Sequence, residues 1–222
     1  MYITLSYLID ENTPMYGGRP GFISKIKSSI KNGDSANISF WQFPNHLGTH
    51  IDFPYHFYEN GQSIQDFDLD FFIYNGKDIQ LFEVMLIGKE LLIKEEHIKK
   101  EEINKKAKIV LLKTNVSEYR NNEKYWKYNP GISLELAEWL RQNFHELKII
   151  GLDSISISSW QHRKIGRMAH RNLLNPEKPI LLIEDMDLSQ VNQKTQFKKL
   201  IIAPFRASHE NGCPCTIFAE VK

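Results

Sequence analysis

The run Ile109-Val110-Leu111-Leu112, the segment from Ser133 to Leu147 and the run Ile149-Ile150-Gly151-Leu152-Asp153 decide the fold class. The first is short and wholly apolar, as befits a strand covered on both faces. In the second, Leu136, Leu140, Phe144 and Leu147 recur at three- and four-residue intervals, which gathers them on one side of a helix. Ser133 stands where an N-cap hydroxyl can accept a hydrogen bond from the first turn. The third run is a second buried strand. Strand, amphipathic helix and strand make a βαβ unit, so the sequence predicts an α/β fold.

Working outward, Tyr2 to Ile9 predicts a first strand, followed by a loop rich in Pro and Gly from Asp10 to Gly21. Ile23 to Phe40 reads as strand material around Lys31-Asn32-Gly33-Asp34, and Asn-Gly is a strong hairpin signal. Ile79 to Ile87 predicts another strand. From Lys94 to Lys108, Lys and Glu interleave at helical spacing, which predicts a solvent-exposed helix with His97 on its surface.

The chain has 222 residues, 41% of them hydrophobic and 25% charged, which suits one domain over residues 1–222 with a real core. A formal net charge of +1 gives no strong attraction to nucleic acid or to a membrane surface. No apolar run approaches the roughly 20 residues of a membrane span. The first residues lack the basic start and apolar stretch of a leader, so a cytoplasmic protein is expected. Cys213 and Cys215 flank Pro214, too close to pair readily with each other and without partners for a metal site.

The chemistry gathers in His46-Leu47-Gly48-Thr49-His50-Ile51-Asp52-Phe53-Pro54-Tyr55-His56. Three of the chain's eight histidines and one carboxylate fall there, all at even positions, with Leu47, Ile51, Phe53 and Tyr55 at odd ones. In an extended chain this parity predicts a half-buried strand whose polar face carries His46, His50, Asp52 and His56. A lone strand histidine is usually structural, but this grouping points to a divalent metal. Ligand atoms at roughly 2.0–2.2 Å from an ion lie about 3–4 Å apart. His46 and His50 would be roughly 13 Å apart on an ideal strand, so the chain must bend, and Gly48 permits it. Asp52 has two oxygens and could bridge two ions about 3.5–4 Å apart. More ligands must come from distant sequence. The candidates are His170 in Ala169-His170-Arg171-Asn172-Leu173-Leu174 and Glu184, which closes the apolar run Ile180-Leu181-Leu182-Ile183. An ionised carboxylate there is costly unless paired or metal-bound, although Glu184 could simply mark a strand leaving the core. No Gly-x-Ser-x-Gly elbow is present, which disfavours a serine hydrolase.

The pattern His46-x-Gly48-Thr49-His50-x-Asp52-x-Pro54-x-His56 resembles the signature of the cyclase family of metal-dependent hydrolases, which includes bacterial kynurenine formamidases and isatin hydrolases. Gly151-Leu152-Asp153-Ser154-Ile155-Ser156 resembles a recurrent segment of the same family. The resemblance implies a single domain of the family's swivelling β/β/α type, a mixed sheet with flanking helices. It implies that His46, His50, Asp52, His170 and Glu184 hold one or two divalent ions, zinc first and manganese second, with Asp52 and Glu184 as bridges. Asp185 is the alternative to Glu184, because the Asn175–Pro179 connection is longer than usual. Metal-bound hydroxide would attack an amide carbonyl, leaving His56 to shuttle protons to the leaving nitrogen. Tyr16 is the implied pocket residue, and Trp41, Phe53 and Tyr55 are further aromatic candidates. The implied substrate is an N-formyl arylamine such as N-formylkynurenine, with an isatin-type cyclic amide as the alternative. A non-catalytic metal- or ligand-binding protein on the same scaffold is the competing class. A homodimer acting on a small molecule, with no nucleic acid or membrane partner, completes the expectation.

Overall fold

The computed structural model describes residues 1–86, 90–98 and 103–222. Its strands are β1 (Tyr2–Thr4), β2 (Ile23–Ser28), β3 (Ile38–Gln42), β4 (His50–Asp52), β5 (Ile73–Asn75), β6 (Ile79–Glu83), β7 (Leu92–Ile93), β8 (Ile109–Lys113), β9 (Gly131–Ile132), β10 (Ile149–Leu152), β11 (Leu181–Glu184), β12 (Phe197–Pro204) and β13 (Gly212–Val221). The helices are α1 (Lys124–Lys127), α2 (Leu134–Asn143) and α3 (Arg163–Leu173).

The βαβ unit forms as its periodicity dictates. β8 and β10 pair in parallel, with Ile109 opposite Ile149, and α2 makes the crossover. β6 and β11 extend this parallel half on either side. Ile109 to Leu112 are all buried, which is why this strand has no polar alternation. Ser133 Oγ accepts from Leu136 N at 3.1 Å, and Leu136, Ala137 and Leu140 face the core. α2 stops at Asn143, so Phe144 and Leu147 lie beyond it yet remain buried in the same core.

The other half of the sheet is antiparallel. The nine-stranded order is β5-β12-β13-β4-β11-β10-β8-β6, with β1 on β13. β4 joins the halves, running antiparallel to both β11 and β13. The result is the mixed sheet with flanking helices that the family resemblance implies.

β1 ends at Thr4, and Ser6 adds only an isolated bridge to Met186. β2 and β3 pair as expected, but their connection is longer than an Asn-Gly turn. A 3₁₀ turn at Ile30–Asn32 is closed by Gly33 at φ 93°. The expected helix over Lys94–Lys108 is not found: its described residues form a 3₁₀ turn at Glu95–His97 and irregular chain, while residues 99–102 lie outside the described set. His97 is buried rather than superficial, its Nε2 2.6 Å from a Glu90 oxygen. Helical i,i+4 pairs contribute only about 0.2–0.5 kcal/mol each, too little to outweigh the tertiary pairing of the adjacent β7 with β9. No helix among the described residues is long and apolar enough to cross a membrane.

Removing the α2 cap should cost about 1 kcal/mol. Urea unfolding of Ser133→Ala, at a site remote from the histidine cluster, should show a lower midpoint with an unchanged slope.

Candidate metal centre

The register of β4 against β11 assembles the first three donors. His50 stands opposite Glu184, and Asp52 opposite Leu182. Directly opposed side chains share a face of the sheet, as do residues two apart on one strand. His50, Asp52 and Glu184 therefore converge, all buried.

The strand expected over residues 46–56 is shorter than its parity suggested. β4 covers only His50–Asp52 and is buried throughout. Gly48 adopts φ +62°, a left-handed conformation that turns the chain before β4. Pro54, which has no N–H for a ladder, opens a 3₁₀ turn through His56. His46 and His56 thus arrive by bends, with ring centroids 4.2 Å apart. Gly212 leaves room for His46, since a Cβ there would sit 2.4 Å from its Cε1. α3 brings His170 to the same place.

The spacings fit an ion. His50 Nε2 is 3.4 Å from both Asp52 Oδ1 and Glu184 Oε2. His170 Nε2 is 3.7 Å from Asp52 Oδ2 and 3.5 Å from Glu184 Oε1. These exceed ordinary hydrogen bonds and match the edge of about 3.4 Å expected of a tetrahedron of ligands around one ion. His46 Nδ1 lies 2.8 Å from Asp52 Oδ1. The sets His46–Asp52–His56 and His50–Asp52–Glu184 each present donor atoms within 4.8 Å of one another, with Asp52 common to both.

Outer contacts orient these donors. His50 Nδ1 meets Gly48 O at 2.8 Å, and His170 Nδ1 meets Gly166 O at 2.9 Å. Donation from Nδ1–H leaves each Nε2 lone pair facing the carboxylates, the arrangement that suits metal-binding imidazoles. His46 Nε2 meets Asn211 Oδ1 at 2.6 Å. Glu184 Oε1 accepts from Ile157 N at 2.7 Å and Ser156 Oγ at 3.0 Å.

Burial pushes the His50 and His170 pKa values down, but the Asp52 and Glu184 carboxylates outweigh it and hold both above the ordinary imidazole range. Burial raises Asp52, yet His46 and His50 hold it well below the carboxylate range. Glu184 is raised by burial and by Asp52, and brought down to about 2 by His170 and His50. For His56 burial dominates and the pKa is lowered.

Asp185 is turned elsewhere. It takes φ +52°, and its carboxylate receives Arg120 Nε at 2.9 Å, Arg120 Nη2 at 2.7 Å and Tyr125 Oη at 2.5 Å. Thr49 Oγ1 donates to Asp185 O at 2.5 Å and accepts from Tyr7 N, so this motif residue ties the end of β11 to the start of the chain.

A cavity of about 320 Å³ opens over the cluster and includes His46, His50, Asp52, His56, His170 and Glu184. Tyr16 lines it. The other aromatic candidates do not: Trp41 is exposed on the β2–β3 hairpin, Phe53 is in the core and Tyr55 faces outward. Phe57, Asn211, Ser156, Ser158, Arg163 and Arg167 were not anticipated. Of these, only the arginines had a readable signal, a helical spacing to His170.

The profile of the Cyclase family matches residues 3–159. The chain belongs to the cyclase family. It is 24% identical over 213 residues to kynurenine formamidase of Bacillus cereus, covering 96% of this chain and 94% of that one. It is 28% identical over 200 residues to cyclase-like protein 3 of Arabidopsis thaliana, covering 87% and 69% of the two chains. Among solved structures, isatin hydrolase A from Labrenzia aggregata superposes with a TM-score of 0.78 at 18% identity, over 99% of this chain and 93% of that one. A potential metal-dependent hydrolase with cyclase activity gives 0.76 at 20% identity, over 99% and 96%. Those likenesses extend the shared fold past residue 159, to α3 and β11.

Neighbouring carboxylates should separate cleanly on mutation. Glu184→Ala is expected to weaken zinc binding at least tenfold, as even outer contacts of metal ligands carry about 10–100-fold. Asp185→Asn should retain zinc but lose about 3 kcal/mol, because the mostly buried Arg120 is left unpaired. Metal analysis and urea unfolding of both variants read the two effects.

Metal must also displace the protons that His50 and His170 hold above the usual range. Zinc affinity should therefore rise as pH increases through and beyond 6.5. Competition with a chromophoric chelator measures it, and a flat profile between about pH 6 and 8 would contradict the assignment.

Proposed function

We propose that this cyclase-family chain is a metal-dependent hydrolase that cleaves the C–N bond of an aryl formamide, with N-formylkynurenine as the favoured substrate. The observation that carries it is the ring of imidazole and carboxylate donors spaced 3.4–3.7 Å apart beneath a small-molecule cavity. The B. cereus relative named for that activity aligns along nearly the whole chain.

In this reading His46, His50, Asp52, His170 and Glu184 would hold one or two divalent ions, zinc first. When bound, the metal supplies Lewis acidity that polarises a carbonyl and acidifies water. The protein's own groups do the rest. His56 stands beside His46 at the cavity wall, and its lowered pKa keeps the ring neutral at pH 7. It can accept a proton from the attacking water and return it to the leaving aryl nitrogen. Glu184 is kept ionised by His170 and His50 and oriented by Ile157 N–H and the Ser156 hydroxyl. Tyr16 and Phe57 present aromatic surface to the aryl group, and a 320 Å³ cavity is of the size that holds one such molecule.

A cyclic amide of the isatin type requires the same groups and is the second reading, supported by the fold likeness to isatin hydrolase A. The enzyme is further proposed to be a homodimer: the β2–β3 hairpin exposes Ile26, Phe40 and Trp41, an apolar surface suited to a second copy. A cytoplasmic location accords with the unpaired thiols of Cys213 and Cys215.

Zinc-loaded protein should hydrolyse N-formylkynurenine, lose activity to a chelator and regain it with metal. His56→Ala should lower kcat about 10²–10⁴-fold with metal content unchanged. Absence of turnover at full metal occupancy would exclude this substrate, and binding without turnover of any amide would favour the non-catalytic reading.

A further inference from the structure

Two guanidinium groups stand in the cavity wall with no part in the chemistry assigned above. Arg163 and Arg167 line the same cavity as the histidine–carboxylate cluster. They precede His170 on α3 by seven and three residues, so all three lie along one stripe of the helix. At 1.5 Å per residue, Arg167 is rooted about 4.5 Å and Arg163 about 10.5 Å along the axis from His170. One helix thus carries a candidate metal donor near one end and two positive charges about one and about two turns away.

The wall around these arginines is built. Arg163 Cζ lies 4.9 Å from the Trp160 ring centroid, and Trp160 meets Tyr16 at 5.1 Å and Trp126 at 5.4 Å, both edge to face. The backbone of the Tyr16 loop lies flat on these indoles. A Cβ at Gly17 would sit 3.1 Å from Trp160, and one at Gly18 2.7 Å from Trp126. Stacking on an indole holds the guanidinium plane with less conformational freedom to lose on binding. The Tyr16 hydroxyl is buried in this wall near Arg163, without a hydrogen-bond partner among the described residues. Burial pushes its phenol up to about 12, while Arg163 and Arg167 pull the other way. It therefore remains neutral, able both to donate and to accept.

Charge balance supplies the ligand's sign. Asp52 and Glu184, the acids of the cavity, are occupied with histidines. Arg120 has the buried Asp185. No ion pair neutralises Arg163 or Arg167 among the described residues. Two adjacent guanidiniums suit a planar anion that can accept from both forks, and a carboxylate is the smallest organic group that does so.

Resting on the hydrolase reading above, we infer that Arg163 and Arg167 select the substrate by binding its carboxylate, so carboxylate-bearing aryl formamides are preferred over neutral ones. The reacting carbonyl lies at the donor cluster and the carboxylate lies toward the N-terminal turns of α3. This geometry favours a formamide carrying an acidic side chain over an uncharged cyclic amide.

The test compares N-formylkynurenine with formanilide, which lacks the carboxylate, on the zinc-loaded chain. The quantity read is the ratio of their kcat/KM values. Because both arginines are exposed to solvent, each charge should contribute only a few-fold. Combined Arg163→Gln and Arg167→Gln should lower the ratio at least tenfold, chiefly through KM for N-formylkynurenine. Paired Lys substitutions should restore part of it, and added salt should lower the ratio in the parent but not in the Gln pair. An unchanged ratio in the Gln pair overturns the inference. If the parent hydrolyses neither compound, the hydrolase reading fails, and calorimetry with kynurenine as the probe decides the carboxylate site separately. Weaker binding by the Gln pair would support it, whereas equal binding would place the carboxylate elsewhere and overturn it.

Discussion

The antiparallel ladder between β4 and β11 is the constraint on which the rest of the site depends. It sets His50 opposite Glu184 and carries Asp52 to the same face two residues on. A slip of β4 by one residue would turn His50 and Asp52 to the face opposite Glu184. Register is held from outside the cluster as well as within the ladder. Thr49 bridges Tyr7 and the backbone of Asp185, and Asp185 is clamped by Arg120 and Tyr125. The polar network beside the site acts as a mechanical stop for the strand that delivers the donors.

The position of β4 explains why one sheet can host such a cluster. On one side lies the parallel half, where Ile109 to Leu112 of β8 and Ile149 to Leu152 of β10 are apolar and buried, as in a sheet covered on both faces. On the other lies the antiparallel half, which contributes Gly212 beside Asp52 and the neighbouring Asn211 that meets His46. Buried carboxylates are tolerable at this junction only because each is surrounded by donors: imidazoles, backbone N–H groups and a hydroxyl. The same field that lowers Asp52 and Glu184 raises His50 and His170, so the cluster is an internal ion-pair network whose imidazoles would exchange protons for a cation.

α3 carries both the two cavity arginines and the His170 of the cluster. Its buried face packs Ala169 and Leu173 into the core, which fixes His170. Its exposed turns carry Arg163 and Arg167 along the cavity rim. A substrate spanning the cavity would touch one rigid element at both ends, which limits how far its reactive carbonyl can wander from the donor cluster.

Much of this was legible in the chain. The βαβ unit could be read because helix and strand periodicities are local, and Ser133 marks its own helix start. The donors from His46 to His56 could be read because their residue types are rare and closely spaced. The parity argument overreached: three residues of strand suffice when Gly48 and Pro54 bend the chain at either side. The Lys- and Glu-rich segment misled because charge alternation reports exposure and says little about backbone pairing. Residue types and local spacing alone thus determined the fold class and the grouping of imidazoles and a carboxylate in the first motif. Only the tertiary structure decided that Glu184 faces the cluster while Asp185 faces Arg120, and that Arg163 and Arg167 share its cavity. Those outcomes depend on strand register and helix packing, which are set by contacts between residues far apart in sequence.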